Sequence, residues 1–425
     1  MIVAIFVGVL LLLFLIGFAV PYALIITAVI GMLYSGNFGL VSMGTMAQKL
    51  CAGVNSFVML AIPFFMLAGK MMNVGSITKR IFKFCNALVG WIPGGLGQVN
   101  ILASVVFAGM SGSAVADAAG LGTIEIEAMK EEGFDVDFAA GITAASSTIG
   151  PIIPPSIPLI VFGSACGVSI SSLLVGGIVP GVLCALCLGI MVAFISIKRH
   201  YPRRGFPRFG ELWVLFRQAF LSLLTPVILI GGILSGIFTA TEAAGIATLY
   251  AIILVCVIYR EITLKQAIAT FKSAATESVA IMLVVAGSTL YGYMITKFQI
   301  PGMVLNFFLS ISNSKYVFLL LINIFLLFVG CFMDANAAIM ILGPILTPAA
   351  IAFGVDPVHF GLIMVFNLMI GLITPPVGTC LYATARVAGI SFDRMVKGAL
   401  PYYLPLGITL ILITLFPMIT LCLVK

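Results

Sequence analysis

The 425-residue chain is 62% hydrophobic and only 8% charged, where an ordinary soluble domain carries about 25% charged residues. That excludes a soluble globular domain, and long continuous apolar runs in place of alternating ones exclude a β-barrel. A net charge of +7 suggests nucleic acid, but the basic residues fall in short clusters between apolar runs, the positive-inside pattern of a membrane protein, so no nucleic-acid partner is expected.

The chain opens on an apolar run over 2–20 with no basic stretch before it, which reads as a retained first span in the lipid bilayer. Pro21 breaks it, and 22–35 form a second run. A polar stretch, 36–50, precedes a third span at 52–72, followed by a basic loop with Lys79, Arg80 and Lys83. Residues 97–110 are apolar but too short to cross. They lead into a polar tip, Gly109-Met-Ser-Gly-Ser-Ala-Val-Ala-Asp117, and a second short arm that runs on to Glu125, Glu127, Lys130, Glu131 and Glu132. This reads as a re-entrant helical hairpin. Residues 137–166 span the membrane with Ile149-Gly-Pro-Ile-Ile-Pro-Pro-Ser156 in their middle; three prolines in five residues forbid a continuous helix there. A long span, 172–197, ends at the most basic loop, 198–208.

Spans at 219–236 and 241–258 follow, joined by a turn that holds Glu242, read as a helix start or an inter-subunit contact. An interfacial helix is expected near 260–272, then a span at 277–295. The second hairpin comprises 316–330, a tip at Cys331-Phe-Met-Asp-Ala-Asn-Ala337, and 338–353. Residues 357–388 form a second broken span around Ile370-Gly-Leu-Ile-Thr-Pro-Pro-Val377, and 398–423 form the last. Nine cysteines lie scattered, mostly within spans; Cys184 and Cys187, with no histidine nearby, read as small apolar fillers.

The two halves repeat. At an offset of 221, Phe107–Pro155 aligns on Phe328–Pro376 without a gap, and sixteen of the 49 pairs are identical. They include Gly109/Gly330, Gly133/Gly354, Asp135/Asp356, Gly150/Gly371 and both Pro-Pro pairs. With loop 198–208 cytoplasmic, most basic residues fall inside, while Lys49, Lys297, Lys315 and Lys425 fall outside. Each half then has five crossings and one hairpin. Five is odd, so the halves point in opposite directions and both termini are external. The expected fold is therefore an all-α polytopic membrane protein, an inverted repeat of two five-span halves, each with a re-entrant hairpin and a proline-broken span.

In hydrocarbon the carbonyls freed at a break must find other partners, and paired broken helices point to a transporter's binding site. Serine hydroxyls, amide oxygens, a carboxylate and unwound carbonyls are hard ligands suited to Na⁺. The candidate ligands in the first half are Ser111, Ser113 and the carbonyls of Gly150, Ile153 and Pro155. In the second they are Asp334, Asn336 and the region of Gly371, Thr374 and Pro376. The competing reading makes the tips helix caps and the prolines simple kinks. Arg386 could fork a substrate carboxylate or snorkel to the surface; Ser156 and Thr379, just past the breaks, are the other candidate substrate contacts. Lys70 and Asp117 carry the same ambiguity as Arg386. The sequence holds no Walker, His-Glu-x-x-His or Gly-x-Ser-x-Gly motif, so no enzyme activity is expected.

The motifs Gly109-Met-Ser-Gly-Ser, Gly150-Pro-Ile-Ile-Pro-Pro-Ser, Gly236-Ile-Phe-Thr-Ala-Thr-Glu-Ala-Ala, Asp334-Ala-Asn and Ile373-Thr-Pro-Pro-Val-Gly, in this order over the whole chain, resemble the large membrane subunit (DctM) of tripartite ATP-independent periplasmic (TRAP) transporters. One departure is Ala240, where that family usually has proline. The resemblance implies an elevator-type, Na⁺-coupled carrier in a bacterial inner membrane, with periplasmic termini. It implies two partners, a small four-helix membrane subunit and a soluble periplasmic binding protein that delivers an organic acid such as a C4-dicarboxylate or sialic acid. Since the chain begins with the first span, the small subunit is expected as a separate chain. On this reading 1–72 and 219–295 are scaffold and 73–166 and 296–388 are the two transport-domain parts. Residues 167–218 are a long span with the basic loop, and 389–425 the last span. The alternative is a self-sufficient sodium/divalent-anion symporter of the same design.

Overall fold

The structure, a computed structural model, describes residues 2–34, 43–73 and 77–424. Among them no strand forms. Six helices are long and apolar enough to cross a membrane, or eight if each of two bent pairs counts as one span.

The first half contains α1 (Ile2–Leu15), α2 (Val20–Tyr34), α3 (Met43–Val54), α4 (Ala61–Met72) and α5 (Ile77–Val89). Its hairpin has one arm in α6 (Leu96–Ser111) and the other in α7 (Ala114–Ala119) and α8 (Leu121–Glu131). Then come α9 (Val136–Ser147), α10 (Ile157–Cys166), α11 (Ile170–Gly176) and α12 (Ile178–Arg199). The second half contains α13 (Phe209–Leu234), α14 (Ala240–Ile252, extended by a π-helical segment, Ile253–Ile258), α15 (Leu264–Lys297) and α16 (Ile300–Ile311). It continues with the hairpin arms α17 (Lys315–Gly330) and α18 (Ala335–Ala352), then α19 (Pro357–Gly371), α20 (Thr379–Ala388), α21 (Phe392–Ala399), α22 (Tyr403–Leu415) and α23 (Met418–Leu421).

The helices keep the repeat seen in the residues. Moving 221 residues on from Leu96, Ala114, Val136 and Ile157 lands within two residues of the starts of α17, α18, α19 and α20. The packing is reciprocal as well. α10 packs on the second hairpin's α18, and its counterpart α20 packs on the first hairpin's α7 and α8. Likewise α4 packs on α14, while α2 packs on α15. Elements exchanged in this way are what a pseudo-two-fold relation between halves produces.

The two broken spans form the centre of the molecule. Residues 138–163 and 358–373 are buried without interruption. A helix covered on every side is apolar all round, and α9 meets this with small residues that let neighbours close in. A Cβ at its Gly141 would collide with the Gly398 backbone of α21.

Several boundaries differ from expectation. The span at 52–72 is bent by 47° between Met43–Val54 and Phe57–Met72; of the polar stretch 36–50, residues 36–42 lie outside the described ones and 43–50 are helical. Lys79, Arg80 and Lys83 sit in α5, not in a loop. The interfacial helix near 260–272 is the start of one unbroken helix, α15, because Thr263 and Gln266 form a capping box and nothing afterwards interrupts it. The long span expected at 172–197 is present as Ile170–Arg199, with only Gly177 between α11 and α12, whereas α16 was not foreseen. The last span, expected over 398–423, divides into α22 and α23 after a start in α21. Glu242 starts α14: its carboxylate accepts from Thr239 N at 2.8 Å while Glu242 N donates to Thr239 Oγ1 at 3.3 Å.

Candidate functional site

The first hairpin turns in two residues. α6 ends at Ser111, and Gly112 takes the left-handed conformation (φ 60°) that glycine adopts without steric cost. Ser113 is extended, and its hydroxyl accepts from Ala116 N at 3.5 Å to cap α7. A Cβ on Gly112 would fall 2.5 Å from the Pro155 carbonyl oxygen, so the tip rests directly on the break of its own half. Ser111 Oγ donates to Asp117 Oδ1, while Asp117 Oδ2, buried against Gly150, has no hydrogen-bond partner among the described residues. Around the break, prolines remove donors and the chain makes only short turns. Among the described residues, no group donates to the carbonyls of Gly150, Ile153 or Pro155. These are the three carbonyls expected to face a cation.

The second tip uses a carboxylate where the first uses a serine. Asp334 stands opposite Ser113 in the repeat and also caps its arm, with Oδ1 accepting from Asn336 N at 2.9 Å and Ala337 N at 3.4 Å. Asn336 Oδ1 is buried without a partner. The tip is tied to its break by Val377 N donating to Cys331 O at 3.2 Å. Gly371 lies against the Gly330 backbone, the counterpart of the Gly150 and Gly109 positions. The carbonyls of Thr374 and Pro376 accept no bond among the described residues, whereas Gly371 O accepts from Thr374 N at 3.0 Å. The Thr374 hydroxyl turns back to Ile370 O at 2.7 Å. The Pro154–Pro155 and Pro375–Pro376 peptides are both cis. Ser113 and Asp334 thus both serve as helix caps, and the first tip also lies against the unbonded Pro155 carbonyl.

The three candidate substrate residues have different surroundings. Ser156 is buried and caps α10, donating to Pro151 O and accepting from Leu159 N at 3.2 Å. Thr379, at the start of α20, holds a buried hydroxyl with no partner. Arg386 is exposed in the last turn of that helix. A 150 Å³ cavity against α15 is lined instead by Asp334 and Asn336, with Val161 of α10 and Met340 of α18.

Two features escaped the sequence reading. Glu125, marked in the sequence only as a residue onto which the second arm runs, is buried in α8; its Oε2 accepts from Asn100 Nδ2 at 2.6 Å and its Oε1 has no partner among the described residues. Asn100 also donates to Thr143 Oγ1 at 2.8 Å and accepts from Ser146 Oγ at 2.6 Å. The first hairpin therefore carries two buried carboxylates where the second has Ala338 and Leu346. Lys70 of α4 is tied to α15, paired with Glu277 and donating to Ser273 Oγ at 2.6 Å.

On the basic side, the end of the first hairpin is held by three ion pairs. Glu132 meets Arg204 at 3.0 Å, Asp135 meets Arg199 at 2.9 Å, and Asp137 meets Arg394 at 2.5 Å. Tyr201 joins Asp135 at 2.5 Å and packs its ring on Phe134 and Phe138. Burial and the Asp135 bond push its phenol pKa up, against the opposing pull of Arg199.

Helices of membrane-spanning length, two matched hairpins and two matched breaks define a multi-pass membrane protein with a carrier's construction. Residues 7–419 match the family described as the tripartite ATP-independent periplasmic transporter, DctM component, and the chain belongs to that family. It is 45% identical to the sialic acid TRAP transporter large permease protein SiaM of Vibrio cholerae, over 96% of this chain and 95% of that one. To the C4-dicarboxylate TRAP transporter large permease protein DctM of Pseudomonas aeruginosa it is 37% identical, over 90% of each. The crystal structure of the Alcanivorax borkumensis YdaH transporter shares the fold, with a TM-score of 0.63 over 91% of this chain and 88% of that one, at 13% identity.

Proposed function

We propose that the chain is the permease through which an organic acid of the sialic acid or C4-dicarboxylate class enters the cell, driven by Na⁺. The observation that carries this reading is the pair of oxygen cradles. In each half a hairpin tip packs near a break at which some carbonyls, those of Gly150, Ile153 and Pro155 in the first and Thr374 and Pro376 in the second, accept no bond among the described residues. A carbonyl left unmet in the membrane interior is costly unless a ligand supplies the missing partner. Na⁺ supplies it without a proton. The ligands on this reading are Ser111, Ser113 and the Gly150, Ile153 and Pro155 carbonyls, and, opposite them, Asp334, Asn336, Gly371, Thr374 and Pro376. The substrate lies beside them, with Thr379, Ser156 and Arg386 as its candidate contacts.

The elevator reading has α6–α10 and α17–α20 moving together against a scaffold of α1–α4 and α13–α15. The reciprocal packing of the hairpins on α10 and α20 supports a single mobile body. The halves are inverted on this reading, since five crossings each and the basic clustering at 198–208 require opposite orientation and external termini. The working complex contains a small membrane subunit and a periplasmic binding protein in a bacterial inner membrane. The names of the relatives favour sialic acid, with 2,3-diketo-L-gulonate and C4-dicarboxylate permeases following at 38% and 37% identity.

The test is uptake into proteoliposomes holding the large and small subunits, with binding protein outside and an imposed Na⁺ gradient. Uptake should require Na⁺ and the binding protein together. Transport that persists without Na⁺, or that proceeds from free substrate alone, would refute the proposal.

A further inference from the structure

A crevice runs along α10 between the proposed scaffold and the proposed mobile helices. At its inner end is the 150 Å³ cavity at Asp334 and Asn336. This shares Val285 and Met340 as walls with a 320 Å³ cavity, which shares Ser164 with a 500 Å³ one at the α10–α11 and α13–α14 turns. The middle cavity has one charged residue in its lining, Lys49 of α3, and a set of hydroxyls from Ser164 of α10 and Ser288, Thr289 and Thr296 of α15. No carboxylate lines it. Lys49 is half-buried with Nζ 4.9 Å from the centre of the Tyr293 ring, and among the described residues it has no ion pair. An ammonium held on an aromatic face, without a counter-charge and partly removed from water, favours an anion arriving beside it. Ser288, Thr289 and Thr296 each donate to a carbonyl of their own helix, at 3.0, 2.8 and 2.8 Å, which leaves their oxygens to accept from the hydroxyls of a ligand.

We propose that this cavity is an outer substrate subsite, in which Lys49 pairs with the carboxylate of a polyhydroxylated organic acid and the serine and threonine hydroxyls of α10 and α15 hold its polyol part. The proposal rests on the organic-acid reading above and extends it to a place no candidate residue marks. The cavity's walls come from both bodies, α3 and α15 on one side and α10 and α18 on the other. A bound acid therefore bridges them on its way to the tip at Asp334.

The test uses the complete complex in proteoliposomes with sialic acid-loaded binding protein. Lys49→Gln should raise KM about ten-fold or more, with kcat and the Na⁺ half-saturation unchanged, and Lys49→Arg should restore most of the affinity. The wild-type KM should rise with ionic strength, and Lys49→Gln should lose that dependence. Ser288→Ala with Thr289→Val should raise KM for sialic acid while sparing a C4-dicarboxylate that lacks the polyol. A Lys49→Gln KM within two-fold of wild type, or a loss confined to kcat, overturns the subsite. Should Lys49→Gln not assemble, the hydroxyl pair decides: no change in its sialic acid KM overturns the proposal. A wild-type complex that carries no organic anion would instead defeat the functional reading itself.

Discussion

Substitution of Gly371 by alanine probes the contact that joins the second tip to its break. Gly371 closes α19 against Gly330, the last residue of α17, and a Cβ there would stand 2.5 Å from the Gly330 carbonyl carbon and 2.7 Å from its oxygen. Non-bonded carbons settle near 3.5–4.0 Å, so two backbones must part by roughly 1 Å. Forcing an extra methyl into a packed core costs about 1–3 kcal/mol, and alanine's better helix propensity returns at most about 1 kcal/mol. A net loss of about 1–2 kcal/mol follows from those two terms. Gly245 in α14 has nothing within 4 Å of its added Cβ, so Gly245→Ala should show only the favourable term. The assay is thermal unfolding in detergent, with Na⁺ and with an equal concentration of choline. A cation that binds only the folded cradle raises the melting temperature by mass action. Gly371→Ala should melt lower and lose most of the Na⁺ increment, because, on the proposed ligand set, parting α19 from α17 displaces the second break from its hairpin tip. Gly245→Ala should keep the increment and melt at or above wild type. If Gly371→Ala matches wild type in both buffers, the close packing of tip on break, and its part in binding, are wrong.

Other substitutions separate capping from ligation. Asp334→Asn keeps an N-cap side chain but not the charge, so it should leave the choline melt unchanged while raising the half-saturating Na⁺ at least ten-fold; Asp334→Ala should also lose the cap, about 0.5–2 kcal/mol. Unaltered Na⁺ dependence in Asp334→Asn and in Ser113→Ala would remove both from the ligand set. Glu125→Ala leaves the buried Asn100 amide short of an acceptor and should cost about 1–3 kcal/mol, whereas Glu125→Gln should stay close to wild type; equal melts for the two would show that the bond to Asn100 carries no stability. Arg204→Ala removes an ion pair that is largely open to water on the arginine side, and chemical denaturation should register no more than about 1 kcal/mol.

Some of this architecture is decided locally, and that part was legible in the residues. A proline lacks its N–H wherever it is placed, so Pro151, Pro154 and Pro155 break a helix whatever surrounds them, and the tip glycine at 112 permits a left-handed turn on its own account. The offset of 221 between halves and the long apolar runs are likewise properties of the chain alone, and the family motifs could be read from the same residues. What the tertiary structure decided depends on partners far away in sequence. Nothing in the spacing of Glu125 marked it as buried; Asn100 and the Thr143–Ser146 face of α9 close over it. Lys70 looked like a span's end until Glu277, 207 residues later, supplied its counter-charge. Ser113 and Asp334 could be assigned as caps or as ligands from their spacing; only the tertiary structure sets Gly112 of the first tip on the unbonded Pro155 carbonyl and ties Cys331 of the second tip to Val377 of its break. Backbone conformation follows from the nearest few residues, whereas burial and pairing follow from which distant surfaces meet.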